Sequence, residues 1–151
     1  MMAGTAKSAA RRVIRCVTFY LGDDVFAVEV ERAQEVLTDQ ALTRVPLANR
    51  GIRGLLNLRG QVVTVFDLRH IFAYDDYPEG GDLTHVVVNT GEATVSLLVD
   101  REGEYVEVEA TALQPTPPTL SADLSRRLQG VCELDDGRLM LLLDVDAALD
   151  F

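Results

Sequence analysis

Asp67, Arg69 and His70 stand within four consecutive positions near the middle of the chain. A histidine close to an aspartate is the pairing that general acid–base chemistry uses. The rest of a catalytic set is missing. No serine sits in a nucleophile elbow, and neither Cys16 nor Cys132 carries a local nucleophile signature. His70 and His85 read better as structural residues beside strands, so a small enzyme using Asp67 and His70 is the weakest functional reading. Asp23-Asp24, Asp75-Asp76 and Asp135-Asp136 offer carboxylates to a metal. Each pair falls at a turn, where aspartate is favoured because its side chain bonds the local backbone. The spacing Gly51 to Gly54 is too sparse for a phosphate loop. No catalytic residue, metal site or cofactor is expected, and the two cysteines read as buried reduced thiols.

Charge narrows the partners. The chain carries 24 acidic and 14 basic side chains over 151 residues, a net charge of −10. Nucleic acid and anionic membranes both need a basic surface, so neither is expected, whereas a basic patch on another protein fits. The opening MMAGTAKSAARR is small and polar, and residues 1–12 are expected to form a disordered tail. Arg11 and Arg12 do not make an export signal, since Arg15 interrupts the apolar run and Asp23-Asp24 ends it. No stretch is long and apolar enough to span a membrane. The expectation is a cytoplasmic protein whose residues 13–151 form a single domain.

Most of that domain reads as strands. Val13 to Leu21 is β-branched and aromatic, and Gly22-Asp23-Asp24 turns it into Val25 to Val30. Over Glu31 to Leu37 the period changes, with Val30, Ala33 and Leu37 on one helical face, which predicts a short helix. Pro46, Gly51 and Gly54 punctuate a loop before a long apolar hairpin, and His70 to Tyr74 suits a helical turn. Asp75 to Asp82 is an acidic loop. His85 to Asn89 and Thr94 to Val99 make a second hairpin, and Glu104 to Glu109 alternates as a half-buried strand. Three prolines extend Gln114 to Thr119. A helix capped by Ser121, a hairpin from Gln129 to Leu143 and a helical close from Asp144 complete the chain.

The chain also repeats itself. GLLNL-RG-QVVTVFDL from Gly54 parallels GVCEL-DDG-RLMLLLDV from Gly130. Gly54, Leu58 and Asp67 correspond to Gly130, Leu134 and Asp144, with one extra residue in the second turn. FYLGDDVFAVEV likewise parallels VNTGEATVSLLV around Gly22 and Gly91. The chain therefore reads as two related β-units, each about half its length, and strands apolar on both faces suit small barrels packed together. In the strand Gln61 to Leu68, Val62, Thr64, Phe66 and Leu68 face one way and Val63 and Val65 the other, so both faces are expected to be largely buried. The two hairpin tips differ. Asp135-Asp136-Gly137 is ordinary turn chemistry, but the first tip is Arg59-Gly60, and arginine has no turn preference. Two readings stay open: Arg59 is a contact residue of the kind enriched at interfaces, or it solvates the tip and pairs with an acid such as Glu35.

The stretch from Gly54 to Arg69 resembles the NLRG…DLR signature of the CheW family of bacterial chemotaxis coupling proteins. The likeness runs from about Val13 to Leu149 and includes Arg44-Val-Pro46, Leu98-Val-Asp100 and Leu142-Leu-Asp144. The resemblance implies a mainly β fold, two packed five-stranded SH3-like barrels with short helices. It implies a stand-alone, non-catalytic adaptor linking a chemoreceptor (methyl-accepting chemotaxis protein) tip to the regulatory domain of the histidine kinase CheA, drawn to membrane-associated arrays through those partners. A pilus-motility or other chemosensory-like pathway is the alternative setting. The family's receptor-binding groove lies between the barrels and carries over to Ala33, Glu35, Val36, Asn57, Leu58 and Arg59, with Glu35 in the short helix as partner of Arg59. Gly54, Gly60, Asp67, Gly130 and Asp144 carry the structural signature. Thr64 stands where the family commonly has proline, Ala33 where a valine is frequent, and Arg101 to Glu104 lacks a usual valine. These departures bear on which receptor class is served.

Overall fold

A computed structural model describes residues 12–38, 40–46, 48–49, 51–77 and 81–150. Residues 1–11 of the expected tail and residues 78–80 of the expected acidic loop lie outside the described residues. The described residues form ten strands: β1 (Val13–Leu21), β2 (Asp24–Glu29), β3 (Ala33–Thr38), β4 (Ile52–Leu58), β5 (Gln61–Asp67), β6 (Thr84–Asn89), β7 (Thr94–Val99), β8 (Arg101–Glu109), β9 (Leu128–Glu133) and β10 (Leu139–Leu143). Among the described residues, three one-turn α-helices, α1 (Leu68–Ile71), α2 (Ala122–Ser125) and α3 (Val145–Ala148), and a 3-10 turn at Ala110–Ala112 join them. Asp67, Ser121 and Asp144 cap these helices by accepting the N–H three residues on, at 3.2, 3.1 and 3.2 Å.

The strands divide into two five-stranded sheets, ordered β8-β1-β2-β10-β9 and β3-β6-β7-β5-β4. Position by position the two orders are equivalent: β1-β2 matches β6-β7, and β9-β10-α3 matches β4-β5-α1. The repeat is thus real at the level of hairpins, but the sheets are not successive halves of the chain. β1 and β2 open the chain, yet they join a sheet whose other three strands close it, through a parallel β2–β10 pairing. The equivalent parallel pairing in the second sheet is β5–β7.

Burial explains why both faces of most strands are apolar. All five strands of the first sheet feed a core that includes Ile14, Cys16, Val25, Ala27, Cys132, Met140 and Leu142. All five strands of the second sheet feed another, which includes Leu56, Leu58, Val63, Val65, Val87 and Leu98. Each sheet therefore wraps its own interior as a small barrel. A third and largest core lies between the barrels, where Phe19, Phe26 and Val28 of one sheet meet Val86, Val88 and Leu97 of the other. Each fully buried side chain of this kind contributes about 1.5–3 kcal/mol.

Two further sequence expectations are corrected. No helix forms over Glu31 to Leu37. The chain turns at Val30–Arg32, with Ala33 N–H donating to the Val30 carbonyl at 3.1 Å, and then enters strand β3. A bulge between Ala33 and Glu35 places Ala33 and Leu37 on opposite faces. They consequently serve different cores, Ala33 the one between the barrels and Leu37 the interior of the second. A turn followed by a bulge had imitated helical spacing. The second correction concerns β5, whose outward face is not covered throughout: Thr64 and Phe66 are half-buried, but Val62 is 65% exposed.

Candidate functional site

The β4–β5 turn consists of Arg59 and Gly60, at φ +51° and +83°. Two successive residues in the left-handed region make the hairpin turn whose twist matches that of its strands. Glycine adopts this conformation freely at the second position. At the first, asparagine, aspartate or glycine is the usual choice, and an arginine there is held against its own backbone preference. Asn57 supports the turn, its Oδ1 accepting the Gly60 N–H at 3.0 Å.

The Arg59 side chain crosses to β3. Its Nη1 donates to Glu35 Oε1 at 3.2 Å and its Nη2 donates to Glu35 Oε2, a two-pronged contact of guanidinium with carboxylate. β3 and β4 are the opposite edges of the second sheet, so this pair bridges the two edges of one barrel. The arginine hydrogen bond holds the Glu35 carboxyl below the usual carboxylate range. Arg59 itself stays 70% exposed at the side chain, against 24% for Glu35. Its guanidinium is oriented without being buried, as a recognition group is. Val62, beyond the tip on the outward face and paired with Asn57, adds exposed apolar surface.

The structure thus brings together Glu35, Asn57, Arg59 and Gly60, with Glu35 on a strand instead of a helix. Leu58 is buried in the interior of its barrel, Ala33 packs toward the core between barrels, and Val36 is half-buried on β3. An open groove between the barrels is lined by residues that include Phe66, Gly91, Val95, Asp146 and Leu149.

The acid–base reading of Asp67 and His70 has no geometry behind it. Asp67 is spent on the fold: Oδ1 accepts the backbone N–H of His70, and Oδ2 accepts Arg53 Nη1 at 3.2 Å. Among the described residues no three His, Cys, Asp or Glu side chains are grouped to hold a metal. Cys16 and Cys132 are buried free thiols, and burial pushes the Cys16 thiol up to about 12, which leaves it inert. No helix among the described residues is long and apolar enough to cross a membrane.

Sequence reasoning passed over one ion pair. Arg69 Nε and Nη2 donate to Asp100 Oδ1 and Oδ2 at 2.7 and 2.5 Å, with Arg69 only 12% exposed at the side chain. Burial pushes the Asp100 carboxyl up, but the Arg69 guanidinium and the Gly22 N–H outweigh it and leave it below its ordinary range. Both residues lie in the motifs quoted above, yet nothing in their spacing announces that they meet.

Similarity to known proteins agrees with this architecture. The chain is 28% identical over 147 residues to the chemotaxis protein CheW of Helicobacter pylori, covering 97% of this chain and 88% of that protein. It is 27% identical over 131 residues to the chemotaxis protein CheW of Klebsiella aerogenes, covering 87% and 78%. The crystal structure of the scaffolding protein TtCheW from Thermoanaerobacter tengcongensis superposes with a TM-score of 0.79 at 23% identity, over 88% of this chain and 90% of that one, and so shares the fold. The model of the CheW-like domain matches residues 15–151, and the chain belongs to that family.

Proposed function

We propose that the protein is a non-catalytic adaptor of chemotaxis signalling that links the cytoplasmic tip of a chemoreceptor to the regulatory domain of the histidine kinase CheA. The observation that carries this reading is Arg59, kept in a left-handed turn conformation and aimed by Glu35 while mostly exposed. A residue held in a sparsely populated conformation, with no core to fill, points to selection for contact. The exposed Val62 beside the tip supplies apolar area for the same surface. The full names of the similar proteins, chemotaxis protein CheW and scaffolding protein, support the class of function. In this reading the protein works in the cytoplasm and reaches membrane-associated arrays through its partners.

The test is co-purification of the intact protein with the cell's chemoreceptors and CheA, repeated with Arg59→Ala and Glu35→Gln. Loss of capture with unchanged melting supports the proposal. Capture undiminished in both variants removes this surface from the function, and unfolding of Arg59→Ala makes the residue structural.

A further inference from the structure

The seam between the barrels has two ends, and the internal repeat makes them comparable. At one end the hairpin-turn glycine Gly22 donates its N–H at 2.7 Å to Oδ2 of Asp100, the residue that joins β7 of one sheet to β8 of the other, and that carboxylate also takes two bonds from Arg69 of α1 across the seam. At the other end the equivalent glycine, Gly91, donates its N–H to Asp146 Oδ1 of the opposite sheet at 3.1 Å, and Asp146 Oδ2 takes Arg32 Nη2 at 3.2 Å. Both ends use a turn glycine, an aspartate and an arginine, one charged partner on a connector between the sheets (Asp100, Arg32) and the other on a helix (Arg69, Asp146).

The two clasps differ in burial and in the bonding of their charged partners, although Arg32 also donates Nη1 to the Asn89 carbonyl at 3.1 Å. Arg69 and Asp100 are 12% and 19% exposed and doubly bonded, whereas Arg32 and Asp146 are 37% and 52% exposed and share one bond. Packing follows the same asymmetry. Beside the first clasp Phe72 stacks on Phe26 at 5.3 Å, the Tyr74 hydroxyl donates to Asp24, and Arg69 lies over the Tyr77 ring at 5.0 Å. The residues equivalent to Phe26 and Phe72 are Val95 and Leu149, and here they line an open groove of about 980 Å³. A second cavity, lined by Arg32 and Gln129 among others, also reaches Asp146. An exposed, singly bonded ion pair beside two cavities is weak and is screened by salt, while a buried two-pronged pair backed by stacked rings is neither.

We infer that the seam is a one-sided hinge: the barrels stay joined at Arg69–Asp100–Gly22 and part at Arg32–Asp146–Gly91, so that the Asp146 clasp sets the width of the groove between them. The hinge belongs to the free chain and is independent of which partner it meets. The repeat also supplies matched probe positions: Asp23 and Ala73 flank the first clasp, and Glu92 and Asp150, their equivalents, flank the second.

The experiment measures spin-label distances on the full chain, with one cysteine pair at Asp23 and Ala73 and another at Glu92 and Asp150. The Glu92–Asp150 pair is expected to give the broader distribution, lengthening in high salt and on Asp146→Ala, while the Asp23–Ala73 pair stays narrow through both changes. Arg32→Gln opens the same clasp from its other partner and should reproduce the effect if Asp146→Ala folds poorly. Equal widths at the two ends, a Glu92–Asp150 distance indifferent to both variants, or a change at Asp23–Ala73 on Asp146→Ala would overturn the hinge.

Discussion

Gly130→Ala tests the internal repeat by its stability cost. The Gln114 backbone runs beside β9 and exchanges two hydrogen bonds with Val131, at 2.7 and 2.9 Å. A Cβ on Gly130 would stand 2.5 Å from the Gln114 carbonyl oxygen and 3.0 Å from Leu113 Cγ. Backbone must move. If the connector retreats, both bonds weaken, and at about 0.5–1.5 kcal/mol each the loss is about 1–3 kcal/mol. If it holds, the overpacked site costs a similar ~1–3 kcal/mol. Either route gives about 2 kcal/mol, a fall in Tm of roughly 4–8 °C for a chain of this size. The equivalent Gly54 faces the Thr43 carbonyl oxygen at 2.6 Å, across the matching pair of bonds to Leu55 at 2.9 and 2.8 Å. Gly54→Ala should therefore cost at least as much, since Gly54 also holds a φ of +159° that an alanine rarely adopts. Gly91→Ala is the control, since nothing lies within 4 Å of its added Cβ, and restricting the unfolded chain there should leave stability level or raise it by about 0.4–1 kcal/mol. Urea denaturation of the three variants decides the matter. A Gly130→Ala midpoint equal to that of Gly91→Ala would refute the claim that these glycines exist to admit a second backbone.

Arg59→Gly should hold or raise Tm, because glycine relaxes the left-handed turn, while abolishing partner capture; a drop in both would tie the residue to folding. Burial lowers the His85 pKa from 6.5, with its Nδ1 3.0 Å from the Ser96 hydroxyl. The unfolded chain binds this proton more readily, so the stability linked to His85 is complete above 6.5 and declines as pH falls from there toward the folded value. His85→Gln should flatten the stability profile in that window, measured by denaturation at several pH values. Arg127 is 4% exposed and its Nη1 donates to the Ala148 carbonyl at 2.6 Å. Arg127→Met should cost about 2–3 kcal/mol and speed amide exchange in α3, because that buried carbonyl loses its donor.

Where turn chemistry and apolar runs coincide, the sequence is transparent. Gly22, Gly91 and Gly137 separate hairpins whose strands lie close to where alternation and β-branching place them. The aspartates that end β5 and β10 start helices in both copies. β3 defeated the same logic because its bulge shifts the side-chain parity within six residues. The interleaving of the sheets was hidden for a different reason: apolarity marks β2 as buried, but nothing local names a parallel partner more than a hundred residues downstream. At the candidate site, Arg59 stood out by its misfit with turn preference. Its partner, Glu35, was named as a candidate acid from the residues and again by the resemblance, but on the wrong kind of element. The Arg69–Asp100 clasp had no local signal, since an ion pair between a helix residue and the residue joining β7 to β8 is a product of the assembled seam.

The interleaved order of strands also dictates a timetable. During synthesis, every strand of the second barrel has been made once Val99 emerges, and that barrel can close at once. The β1–β2 hairpin, made first, must wait until Leu139–Leu143 arrives to lie beside it. Through that interval the hairpin gains β8 along its β1 edge, and the buried faces of Phe19 and Phe26 rest on the finished barrel. The nascent chain is thus expected to use its second barrel as a template for its first, with the seam forming before the barrel that borders it.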